Sequence, residues 1–371
     1  MSEASLVMKK LICFLLLVCT LALSSACSIQ INQAASPAQN SSQTADEAIN
    51  IPVTWGNLSL TGKLIYIVAD FKGGSEKGGL RVALRSLDLA TGRVKTIFET
   101  EVGSWIRSIA VSPDLKNLII SYAPPSDPSV GSREGLYILS LDGSQPPQLL
   151  FQPPTDQDQY TQPEFSPDGK YLYFTHYSSR SSSDYEIMRL AYPDGKPESL
   201  IDQAYWPRLS ADGSQLAYVS INSANGPNEL FIANAEGTDA RAVPLLGPGW
   251  TQSIIDAPLF LPDGKSILFS APLPAQSSAP TSWVDKLFGI TVANAHGYIP
   301  SDWWSVPLSG SQPARLTRVY TPGLFASLSP DSKFIASYSS SGIFIMDLQG
   351  GNLTQIVNYT GGITGAVRWT P

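Results

Sequence analysis

Residues Phe165 to Phe174 read F-S-P-D-G-K-Y-L-Y-F, and this unit recurs through most of the chain. It returns as Leu209–Val219 (L-S-A-D-G-S-Q-L-A-Y-V), as Phe260–Phe269 (F-L-P-D-G-K-S-I-L-F), as Leu328–Ala336 and, more worn, as Val111–Ile120. Each copy is an apolar strand end, a tight turn and then an alternating apolar strand. Pro presets φ, Asp bonds its own backbone, and Gly supplies the positive-φ residue that a bulged hairpin needs. Hairpins of one kind, on the order of fifty residues apart, are the mark of a β-propeller in which each copy belongs to one blade.

A chain of 371 residues, 43% of them hydrophobic, would ordinarily divide into several domains. Radial repetition avoids that, because blades are added without starting a new core. The 29 prolines and 29 glycines suit many short strands joined by turns. A net charge of −7, with no basic stripe, sets nucleic acid aside as a partner.

Within each blade the expected order is strand A, the turn, then strands B, C and D. Blade one takes Leu64–Ala69 as B, Val82–Leu89 as C and Val94–Phe98 as D; blades two to six start at the five turn copies. Asp142-Gly143, Asp194-Gly195, Glu236-Gly237 and Ser309-Gly310 are C–D hairpin signals. The C-terminal segment Ala366–Pro371 matches the end of a strand A, yet no B strand follows it. Blade one has a B strand with no A. The fold class expected is therefore an all-β, six-bladed β-propeller, closed by the C-terminal strand pairing with the N-terminal blade at Gly62-Lys63-Leu64. Val53–Leu60 is the competing innermost strand, with poorer alternation.

The repeats resemble the WD40-like propeller repeats of TolB-type proteins over the region from about residue 58 to the end. Leu115, Ser332 and Leu261 depart from the pattern in blades two, six and five. The resemblance implies a six-bladed propeller and an envelope or surface location. It carries no activity, since the repeat residues are structural.

The N-terminus reads as an address. Lys9 and Lys10 precede an apolar run from Leu11 to Leu23, then Ser24-Ser25-Ala26-Cys27, the pattern of a secretory signal too short to span a membrane. The L-S-S-A-C ending resembles the lipobox of bacterial lipoproteins, whose Cys is lipidated, although Leu23 lies one place further upstream than that pattern prefers. Ordinary signal cleavage is the alternative. All three cysteines lie at or before Cys27, so the body of the protein holds no disulfide. The expected organisation is a signal over 1–27 with Cys27 as lipidation site, a Ser/Gln/Asn/Ala tether over 28–50, and the propeller over 51–371.

In a propeller the D–A and B–C loops open on one face and the A–B turns on the other. Asp114, Asp168, Asp212, Asp263 and Asp331 are hence read as turn formers rather than ligands. On the loop face the residues shortly before each turn are Arg107, Tyr160, Tyr205, Asp256 and Leu324; they orient a polar ligand or plug the channel. Blade five carries an insertion over roughly 271–302 with Trp283, Phe288, His296 and Tyr298, followed by Trp303 and Trp304 as strand C begins. A long aromatic loop on a rigid scaffold is either a binding site or a lid.

Catalysis is the weaker reading. His176 and His296 are the only histidines, too few for a three-His metal cluster, and no G-x-S-x-G elbow occurs. Asp156 with Asp158, or Asp256 with Asp302, are candidate carboxylate pairs for sugar chemistry. The function expected is an exported, lipid-anchored binding module that engages a protein or glycan partner through its loop face, without cofactor or metal. A propeller glycosidase or lyase, and an architectural role in envelope assembly, stay open.

Overall fold

The computed structural model describes residues 49–70, 81–125, 133–179, 184–221, 228–250, 254–274, 300–321, 325–358 and 366–371. These form six antiparallel sheets, five of four strands and one of five. Each innermost strand touches the next: Trp105–Val111, Asp158–Phe165, Ala204–Leu209, Asp256–Phe260 and Phe325–Leu328 follow in turn. Val367–Thr370 touches both Phe325–Leu328 and Trp105–Val111, which closes the circle. The protein is a six-bladed propeller.

The apolar strands are divided between two cores by their period of two. In Lys63–Asp70, Leu64, Tyr66 and Val68 face the seam with blade six, against Ala336, Tyr338 and Ile345. Ile65 and Ile67 face the other way, against Ile106, Ile109 and Ile120 of blade two. Burial on both faces explains why such strands read as unbroken apolar runs.

Ring closure has the expected register. Lys63 pairs with Thr370, Leu64 with Trp369, Ile65 with Arg368 and Tyr66 with Val367. The Trp369 indole donates to the Thr61 carbonyl at 2.9 Å, and its ring stacks on Phe334. Gly62 has φ +85°, and a Cβ there would meet the Thr370 carbonyl oxygen at 2.2 Å, so the last strand needs glycine at this point. Residues 53–60 do not compete for that place. They hold a short 3-10 turn, Gly56–Leu58, with Trp55 buried and donating to the Leu89 carbonyl. Ile49–Asn50 adds a fifth strand on the outer edge of blade one, paired with Arg93 and Val94.

The turns are built as their residues dictate. The Ser166 hydroxyl donates to Asp168 at 2.7 Å and accepts the Tyr171 N–H, while Asp168 accepts the Lys170 N–H and Gly169 takes φ +73°. Ser112/Asp114, Ser210/Asp212 and Ser329/Asp331 repeat the arrangement. These hydrogen bonds, led by the serine hydroxyl, hold Asp168 and Asp212 down to about 2. Leu115 and Ser332 adopt the glycine conformation at φ +59°, a strained choice for a side-chain residue. Where Leu261 replaces the serine, Asp263 binds the N–H groups of Lys265 and Ser266 instead.

The innermost strands of blades three, four and five carry bulges at Gln162-Pro163, Trp206-Pro207 and Ala257-Pro258, with positive φ at the first residue of each. Proline is tolerated in an inner strand because a bulge needs no ladder donor there. The freed N–H groups bond sideways to the preceding blade. Gln162 donates to the Ser108 hydroxyl at 2.8 Å and Trp206 to the Thr175 hydroxyl at 3.0 Å; without a bulge, Trp369 likewise donates to the Ser327 hydroxyl at 3.0 Å.

Candidate functional site

The loop face is assembled from the starts of the A and C strands and the ends of the B strands. In blade three, Asp158–Phe165, Tyr171–Ser178 and Asp184–Ala191 bring Asp158, His176 and Glu186 side by side. The His176 imidazole lies between two carboxylates, with Nδ1 at 2.7 Å from Glu186 and Nε2 at 3.3 Å from Asp158. Tyr160 packs edge-on against that imidazole. The Ser199 hydroxyl donates to the other oxygen of Glu186 at 2.6 Å. Burial works against the charge on Asp158, but hydrogen bonds from Thr155, Ser178 and His176 outweigh it and hold its carboxyl below the usual range.

A cleft of about 360 Å³ opens here, lined by Pro154, Asp158, His176, Tyr185, Glu186 and Asp202. Three carboxylates and one imidazole make its wall acidic. Tyr185 connects it to blade four, its ring centroid 5.3 Å from that of Tyr205. The buried Tyr205 hydroxyl donates to Asp256 at 2.6 Å and accepts from the Asn228 amide at 2.9 Å. Burial, reinforced by the neighbouring Tyr177 and Asp256 charges, pushes Tyr185 up to about 12; burial and then Asp256 also push Tyr205 well up. Both phenols therefore stay neutral hydrogen-bonding groups at ordinary pH. On the other side, Arg107 pairs with the buried Glu134 at 2.6 Å, and Ser121 holds the second oxygen of that carboxylate. Burial pushes Glu134 up, against the pull of Arg107 and Ser121.

Of the residues singled out in the sequence, Tyr205 and Asp256 meet directly, Tyr160 adjoins the acidic cleft, and Arg107 is a half-exposed cation held by Glu134. Trp303 and Trp304 are core residues rather than contact residues. Trp303 is fully buried among Trp206, Ala326 and Met346 and donates to the Ser337 hydroxyl at 2.6 Å. Trp304 packs edge-on against Trp250 and donates to the Ala271 carbonyl. The reason lies in their register: they pair with Ser270 and Phe269 inside the sheet, past the end of the insertion. Trp283, Phe288, His296, Tyr298 and Leu324 lie outside the described residues, as does Cys27.

One carboxylate of each pair named from the sequence is engaged in hydrogen bonds. Asp302 is buried and accepts from Arg315 at 2.6 Å, from Thr317, and from the N–H groups of Val319 and Tyr320. Asp158 is engaged by Thr155 and His176. No group of three or more His, Cys, Asp or Glu among the described residues is placed to hold a metal ion.

Glu186, Asp202 and Tyr185 escape a reading of the sequence, because attention to the residues before each turn samples only the A strands. The available signal for Tyr185 and Glu186 is the start of strand C, where Glu134 and Asp302 also stand at the loop end; Asp202 ends strand D and has no such signal.

No protein-family model matches the chain, and no curated protein matches it in sequence. Solved structures do. TolB from Acinetobacter baumannii superposes with a TM-score of 0.56 at 16% identity, over 82% of this chain. The chain spans 66% of that protein, just under two thirds of its length. A protein of Agrobacterium tumefaciens assigned as a TolB superposes with a TM-score of 0.51 at 17% identity, over 84% of this chain and 99% of its own. What is shared is the TolB-like propeller fold.

Proposed function

We propose that the chain is an exported, lipid-anchored binding module whose loop face receives a protein partner. The observation that carries this reading is the acidic cleft of blade three, where Asp158, Glu186 and Asp202 line one wall beside His176. Carboxylates arranged in this way on a rigid scaffold suit a lysine or arginine side chain, which would add the missing positive charge. The TolB-like fold fits a binding role, since its rigid ring displays loops on one face.

The test uses the chain from Asp46 onward, which forms one compact unit, as bait for the envelope fraction of its host. Glu186→Gln with Asp202→Asn is expected to weaken partner capture about tenfold or more, with the fold unchanged. Undiminished capture by the double variant would sink the assignment of the cleft. A glycan would instead use the Tyr185 ring and hydrogen bonds to the same carboxylates. Competition by neutral oligosaccharides, and none by lysine-rich peptides, would identify that ligand.

The anchor rests on Lys9-Lys10, the apolar run to Leu23 and Cys27. A diacylglyceryl group on Cys27 would hold the propeller at the membrane through residues 28–48, the expected tether being shorter by Ile49–Asn50, which pair with blade one. Cys27→Ser is expected to abolish incorporation of labelled fatty acid and to move the protein out of the membrane fraction. Unchanged membrane partition in that variant would remove the anchor.

A further inference from the structure

The central channel holds a charge imbalance that the loop face does not use. Glu164, Arg208 and Arg368 occupy the same place in three copies of the repeat, two residues before the Ser or Thr of the turn. They come from blades three, four and one, and meet on the axis. Both arginines bond one oxygen of Glu164, Arg208 at 2.7 Å and Arg368 at 3.0 Å. Two guanidinium groups thus share one carboxylate, and the group carries a net positive charge. Burial in first place, then the nearby Arg208 charge, depress Arg368 to about 9, against the pull of Glu164.

Beside these side chains lies a chamber of about 20 Å³, lined among others by Ser108, Gln162, Trp206, Arg208, Phe325 and Arg368. That volume admits one particle the size of a water molecule. Arg208 is buried, and its Nε has no hydrogen-bond partner among the described residues. The neighbouring acceptors are already engaged. Ser108 Oγ accepts the Gln162 N–H, and Gln162 Oε1 accepts from Thr175 and Trp206. Accepting that bond leaves the Ser108 hydroxyl hydrogen as a further donor.

We propose that this chamber is a binding site for a single monovalent anion of halide size, held between Arg208 and Arg368. A buried donor without an acceptor and a buried net charge are each costly, and one anion relieves both. Larger oxyanions exceed the chamber. Because Arg368 sits on the closing strand and Arg208 on blade four, the ion bridges the ring across its axis and couples closure to halide concentration.

The experiment compares thermal unfolding of the full chain in sodium gluconate and in sodium chloride or bromide, at constant ionic strength. The expected result is a saturable rise of about 2–4 °C with either halide. Crystals soaked in bromide should show an anomalous peak within hydrogen-bonding distance of Arg208 Nε. Glu164→Gln, which removes the shared carboxylate, is expected to lower the halide concentration at half-effect about tenfold. Arg208→Met, which keeps the apolar stem, is expected to abolish the halide effect; should it not fold, the bromide peak and Glu164→Gln decide. Equal midpoints in gluconate and chloride, with no bromide peak, would show that a water fills the chamber and would overturn the proposal.

Discussion

Deleting Ala366–Pro371 is expected to convert the closed ring into an open, aggregating one. The segment supplies the innermost strand of blade one, and its loss bares the paired edge of Lys63–Asp70. Val367 is fully buried and Trp369 nearly so; burying each contributes about 1.5–3 kcal/mol. The four paired residues add hydrogen bonds of about 0.5–1.5 kcal/mol each. Together these approach the whole net stability of a folded domain, about 5–15 kcal/mol. The bared strand is long and apolar, the kind of edge that recruits other chains. Size-exclusion chromatography and thermal unfolding check the outcome. A monodisperse truncated chain with an unchanged midpoint would contradict closure by this strand.

Trp303→Ala should produce the largest loss among single substitutions at the residues considered. Its side chain is fully buried where blades five and six meet, and truncating such an indole costs about 3–5 kcal/mol. The Ser337 hydroxyl would also lose its donor. A fall in the unfolding midpoint of about 4–7 °C is expected. A shift below about 2 °C combined with lost partner capture would instead make Trp303 a contact residue.

The scaffold is readable because its rules are local. The Ser-Pro-Asp-Gly turn closes hydrogen bonds within five residues, so each copy announces itself, and a lone A strand at the C-terminus can be matched to a lone B strand at Leu64. The worn copies are readable for the same reason: Leu115 and Ser332 keep the turn by accepting strain. The acidic cleft is harder to see, since Asp158, His176, Glu186 and Asp202 belong to different strands whose register no short pattern fixes. Tyr205 and Asp256 stand out in the sequence, but their direct bond does not, because it crosses from blade four to blade five. Trp303 and Trp304 follow a long insertion in the sequence, yet their register already places them inside the sheet.

The division of each strand between two seams bears on how such a chain can drift. A substitution at Leu64 is felt toward blade six and one at Ile65 toward blade two, so neighbouring positions answer to separate constraints. Any apolar side chain that fits its own seam will serve, and only the turn residues are held to a narrow chemistry. Shape accordingly relates this chain to TolB-like propellers, while no family model matches its sequence.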